Sequence, residues 1–118
     1  MPHVLLVDDD SGQLRIREMI LRSSGINVHG ASDVNRALDI LRSQGNEIGL
    51  VVTDHYLDGN TGADFVRELR RIAPSMPVLV LSGAPDIEQN YDGLDVSVRQ
   101  KPFPPQQFIQ DVQKLLSK

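Results

Sequence analysis

Two hydrophobic patterns alternate along the whole chain, and this alternation limits the fold more than any other feature. Short, nearly continuous apolar runs stand at His3 to Val7, Ile48 to Thr53 and Pro77 to Ser82, with weaker runs at Ile26 to Ala31 and Asp95 to Arg99. Runs of this kind predict strands covered on both faces. Between them lie stripes spaced by three to four: Val34, Ala37, Leu38 and Leu41; Phe65, Val66, Leu69 and Ile72; Phe108, Ile109, Val112, Leu115 and Leu116. That is the period of a helix packed on a sheet. A first helix from about Ser11 to Ser24 carries Ile16, Met19 and Ile20 and stops before Gly25. Pro74 closes the third helix, and Pro104 and Pro105 suit the first turn of the last.

The segment "GAPDIEQNYDGLD" after Ser82 offers only Ile87, Tyr91 and Leu94 for burial, so the fourth helix reads as short or poorly formed. The order βαβαβαβαβ calls for an α/β fold, a parallel sheet wrapped by helices on both faces with right-handed crossovers. At 118 residues the chain has the length of one domain, and we read 1–118 as a single unit.

In such a sheet ligands bind outside the carboxyl ends of the strands. Asp8, Asp9 and Asp10 follow the first strand in "VLLVDDDSG", Asp54 follows "IGLVVT", Ser82 ends "PVLVLS" and Lys101 follows the last strand in "RQKPF". All fall at one edge. Three adjacent carboxylates behind a buried strand repel one another and resist desolvation, so a positive partner belongs there. Carboxylates with room for water suit a hard octahedral cation such as magnesium, and a divalent charge turns a repulsive cluster into a site.

These motifs resemble those of the response regulator receiver domains of two-component signalling, over essentially the whole chain. "VLLVDDDSGQLR" resembles the opening acidic motif at Asp8 and Asp9; "VVTDHYLDGNTG" the phosphoacceptor motif, with Asp54 as acceptor and Gly62 as its following glycine; "VLVLSG" the switch hydroxyl at Ser82; and "KPF" the lysine motif at Lys101, Pro102 and Phe103. Four motifs in order at the right strand ends make a specific match.

The resemblance implies a flavodoxin-like doubly wound five-stranded parallel sheet of order 2-1-3-4-5. It implies that Asp54 takes a phosphoryl group from a phosphohistidine, on a sensor histidine kinase or a histidine phosphotransfer protein, and then switches binding of a downstream protein partner. Asp9, Asp54 and the backbone carbonyl of Tyr56 would hold Mg2+, with Asp8 contributing directly or through water. Lys101 and Ser82 would offset charge on the transferring group, and the Lys101-Pro102 bond is expected to be cis. Tyr56 and Ala84 occupy positions that tune the lifetime of the acyl phosphate. The protein would catalyse only its own phosphotransfer and dephosphorylation, with no separate turnover substrate.

Three departures from the family pattern stand out. Asp58, followed by Gly59, replaces the usual proline after the acceptor; Val98 stands where many receivers carry a switch aromatic; and the interval from Ser82 to Lys101 is short by about one helical turn. The shortened fourth helix belongs to the face most receivers use to dimerise or meet an output domain, so a homodimer and a partner protein are both candidates for it. "SGAP" and the missing proline resemble receivers attached to hybrid histidine kinases.

Plainer readings compete at several positions. Asp10 or Ser11 reads as a helix cap, and Asp58 as part of a turn with Gly59 and Asn60. His55 reads as exposed despite adjoining Asp54. His3 and His29 have no partner at metal-ligand spacing in the sequence and receive no metal role.

A formal net charge of -4, with no basic run longer than Arg70-Arg71, argues against direct nucleic-acid binding. The absence of cysteine, of a basic leader with a longer apolar core and of any membrane-length apolar run fits a cytoplasmic protein away from the membrane. Two rival functions remain: a degenerate receiver acting as a phosphorylation-independent binding module, and a haloacid dehalogenase-type phosphatase with Asp8 as nucleophile. The second lacks a Thr or Val at Gly12 and a later Gly-Asp motif. A flavin site is disfavoured by the acidic first loop.

Overall fold

The computed structural model describes residues 2–117. The elements run β1 (His3–Val7), α1 (Ser11–Ser23), β2 (Val28–Ala31), α2 (Val34–Gln44), β3 (Ile48–Asp54), a small hairpin of β4 (Tyr56–Leu57) and β5 (Asn60–Thr61), α3 (Gly62–Ile72), β6 (Val78–Ser82), a 3-10 turn (Glu88–Tyr91), β7 (Ser97–Gln100) and α4 (Pro105–Leu116). The main sheet has the order β2-β1-β3-β6-β7 with every pair parallel. Counting its own strands alone, this is the expected 2-1-3-4-5, the flavodoxin-like arrangement.

Alternate residues of each strand feed two cores. Leu5, Val7, Val51 and Val80 meet Ala37 and Leu38 of α2 and Phe65, Val66 and Leu69 of α3 on one face. Val4, Leu6, Leu50, Val52 and Leu81 meet Leu14 and Leu21 of α1 and Phe108, Val112 and Leu115 of α4 on the other.

Local chemistry sets the helix ends. Asp10 caps α1 by accepting from the Gly12 and Gln13 amides. At its other end Gly25 takes φ 80°, while the Gly25 and Ile26 amides donate back to the carbonyls of Arg22 and Leu21. This is a Schellman closure that only a glycine makes without strain. Thr61 and Asp64 form a capping box on α3, and Pro105 opens α4.

One expectation holds and another changes. The short, poorly formed fourth helix is a four-residue 3-10 turn, because Pro85, Gly93 and a positive φ at Asp86 interrupt a segment held by only Ile87 and Tyr91 among its fully buried side chains. In α1, Ile16 and Met19 are 53% and 64% exposed. The buried residues are Leu14, Arg17 and Leu21, so the helix is rotated from the face expected and an arginine lies inside. Among the described residues no helix is long and apolar enough to cross a membrane.

Candidate functional site

Parallel pairing carries the ends of β1, β3, β6 and β7 to one edge, with Val7 beside Thr53, Asp54 beside Leu81, and Ser82 beside Gln100. Asp54, the last residue of β3, and Asp8, just past β1, are both buried there. Lys101 reaches in from beyond β7 and places Nζ 2.8 Å from Asp54 Oδ1. Its backbone amide donates to the Ser82 carbonyl at 2.7 Å, and the Lys101-Pro102 bond is cis.

The fourth charged group was not anticipated. Arg17, 8% exposed, points from α1 into the same edge. Its Nη1 donates to Asp8 Oδ2 at 2.6 Å and to both Asp54 carboxylate oxygens at 3.2 Å. In sequence an arginine among apolar helix positions passes for a surface residue. The available signal was its place between Leu14 and Leu21, on the stripe that those two leucines define.

Asp8 Oδ1 accepts from the Asp10 amide at 2.9 Å. Burial, then the hydrogen bond and the charge shared with Asp54, push the Asp8 carboxyl up to about 7, against the pull of the Asp10 amide and Arg17. Asp9 lies exposed. Asp8, Asp9, Asp54 and the Tyr56 carbonyl are all oxygen donors, the chemistry magnesium takes. The buried Asp8 and Asp54 carboxylates, which resist carrying two negative charges together, are what a divalent ion would relieve. The donor set fits that ion.

The other expected residues occupy the rim or the supports. Ser82 is buried, and its Oγ donates to the Ala84 carbonyl and accepts from the Ala84 amide, each at 3.0 Å. Tyr56 is exposed at the start of the hairpin, and Asp58 and Gly59 form its tip, as the turn reading required. Val98 is half-buried in β7 beside Val80. At Gly62 any Cβ would meet the Asp54 carbonyl at 2.6 Å and the Tyr91 hydroxyl at 2.5 Å. A glycine at position 62 is therefore a steric requirement.

Two histidine expectations are corrected. His55 is buried, not exposed, and its Nδ1 hydrogen-bonds the Tyr91 hydroxyl at 2.8 Å; burial lowers its pKa. His3 and His29 do have partners, because pairing of β1 with β2 sets their rings on one face. His3 Nδ1 and His29 Nε2 are 2.8 Å apart, with Glu47 4.0 Å from His3. The pair lies towards the opposite end of the strands from Asp54.

A parallel CheY-like sheet with a lysine-held aspartate at its carboxyl edge defines a class of signalling domain. Residues 4–113 match the response regulator receiver domain family, and the chain belongs to that family. Response regulator RppA of Synechocystis sp. is 31% identical over 103 residues, covering 85% of this chain and 44% of RppA. A response regulator receiver domain protein of Clostridium thermocellum superposes with a TM-score of 0.90 at 26% identity, covering 99% of this chain and 95% of that one. A response regulator receiver protein of Sinorhizobium medicae does so with 0.83 at 33% identity, over 98% and 94%. The chain spans less than two thirds of the length of the first curated relatives it matches.

Proposed function

We propose that this receiver domain is a phosphoacceptor switch in which Asp54 is the residue modified. The observation that carries the reading is the buried Asp54 carboxylate, held at a strand end by Lys101 Nζ at 2.8 Å. An Asp54 oxygen attacks the phosphorus of a phosphohistidine in line; the P–O bond forms as the P–N bond breaks, and the electron pair leaves with the imidazole, which takes its proton from water. Lys101 offsets charge on the phosphoryl oxygens. The Ser82 hydroxyl leaves Ala84 to reach one of them, and with Val98 in the aromatic's usual place no ring swings behind it. Asp8, Asp9, Asp54 and the Tyr56 carbonyl would hold Mg2+, which supplies charge neutralisation and alignment.

The donor, a sensor histidine kinase or histidine phosphotransfer protein, must bring its histidine to this edge. The exposed Ile16 and Met19 of α1 supply an apolar rim for that contact. Output passes to a protein partner by way of the segment between β6 and β7, with Ala84 and Tyr56 tuning how long the signal lasts.

Intact-mass measurement after acetyl phosphate and magnesium tests the reading. One phosphoryl group is expected on the wild type, and none on Asp54→Asn or without magnesium. Label that persists in Asp54→Asn but vanishes in Asp8→Asn would instead indicate a phosphatase-like nucleophile. No label on folded protein would indicate a phosphorylation-independent binding module.

A further inference from the structure

Arg17 is the feature that the proposed function leaves unused. It is an interior residue of α1, buried, with Nη1 alone serving the Asp8 carboxylate at 2.6 Å and both Asp54 oxygens at 3.2 Å. Nη1 carries two N–H groups, and these three contacts engage both. The buried edge thus balances two carboxylates, Asp8 and Asp54, against two cations, Arg17 and Lys101. Among the described residues Lys101 pairs with Asp54 alone, so the charge facing both acids together is the guanidinium.

We propose that Arg17 is a built-in counter-cation of this pocket, which a divalent ion must displace from Asp8 and Asp54 before it can bind. The inference rests on the phosphoacceptor reading and adds a regulatory property to it: the pocket is already neutralised, so its demand for magnesium is set high. A guanidinium suits the task because it stays charged at any physiological pH and cannot yield its place by losing a proton. It is also weakly hydrated and tolerates burial better than an ammonium. Its stem is anchored in α1 between Leu14 and Leu21, so a displaced head group stays beside the carboxylates and competes as a tethered ligand at high effective concentration.

The test is calorimetric titration of magnesium alone into wild type, Arg17→Met and Arg17→Lys. Arg17→Met keeps a long flexible stem and removes the charge, so magnesium should bind at least about tenfold more tightly. Arg17→Lys keeps the charge and should stay close to wild type. On the wild type itself, NMR with 15N-labelled arginine should show the Arg17 guanidinium signals shifting over the same magnesium range that saturates the calorimetric signal. That measurement decides the matter even if Arg17→Met does not fold.

Equal affinities for wild type and Arg17→Met, or Arg17 signals unmoved at saturation, would overturn the proposal; if Asp54 still takes label, the phosphoacceptor reading survives. Saturable binding in neither form, with no acetyl phosphate label, would bring down both.

Discussion

Arg17 and Arg99 each place a guanidinium nitrogen 2.6 Å from an aspartate oxygen, yet the two aspartates respond in opposite directions. Asp111, on α4, is held bidentate by Arg99 of β7 at 2.6 and 2.8 Å and accepts from Gln107 at 3.0 Å. The Arg99 hydrogen bond leads the causes that hold its carboxyl below the ordinary value, and the Arg99 pKa rises in turn. Asp8 has a cation equally near but is raised to about 7, because burial and the Asp54 carboxylate outweigh it. Side-chain exposures are 10% and 4% for Arg17 and Asp8 against 38% and 15% for Arg99 and Asp111. Contact distance therefore does not decide what an ion pair does. Desolvation and the other charges in reach decide it, and a pair that is costly to hold together is poised to be remade.

The largest effect should come from removing the buried cation. Arg17→Met in chelator should lose about 3 kcal/mol by urea denaturation, as expected when a buried pair loses one partner. Arg99→Met should lose less than about 1 kcal/mol. Equal losses would erase the distinction.

Next in size is a pH effect of opposite sign at the two sites. Asp8 has a folded pKa above its ordinary 3.8, so the folded chain binds its proton more tightly. Its contribution is complete below that ordinary value and is lost as pH rises towards about 7. In metal-free protein this loss is on the order of a few kcal/mol, and Asp8→Asn should flatten it; parallel wild-type and variant curves over that range would sink the assignment. Asp111 runs the other way. Its folded pKa is depressed, so its stabilisation is present above the ordinary carboxylate value and disappears as pH falls through the lower folded one. Asp111→Asn should remove that acid-limb slope, the smallest of the three effects, and leave the limb above it unchanged.

Residues whose burial depends on their own element were legible in the sequence. The apolar runs located the strands to within a residue or two, and the stripes of α2, α3 and α4 marked their buried faces. Asp8, Asp54 and Lys101 came together because strand ends in a parallel sheet must share an edge. What escaped depended on partners far along the chain. The helical spacing of α1 allowed two rotations; Leu14 and Leu21 favour the one observed, and Asp8 and Asp54 explain how it can bury Arg17 between them. The burial of His55 required Tyr91, 36 residues away, and the His3–His29 contact required the register of β1 on β2.

The His55–Tyr91 hydrogen bond joins the residue after Asp54 to the 3-10 turn that stands in place of a helix. One turn has too few internal hydrogen bonds to be a cooperative unit of its own. Its order is therefore borrowed from the buried Ile87 and Tyr91 and from the histidine that Tyr91 meets. In hydrogen exchange such a stretch has no independent protection to report. Its amides act as a gauge of how tightly the neighbouring strand end is held, so a lightly built turn on the surface registers changes at the end of β3 beside Asp54.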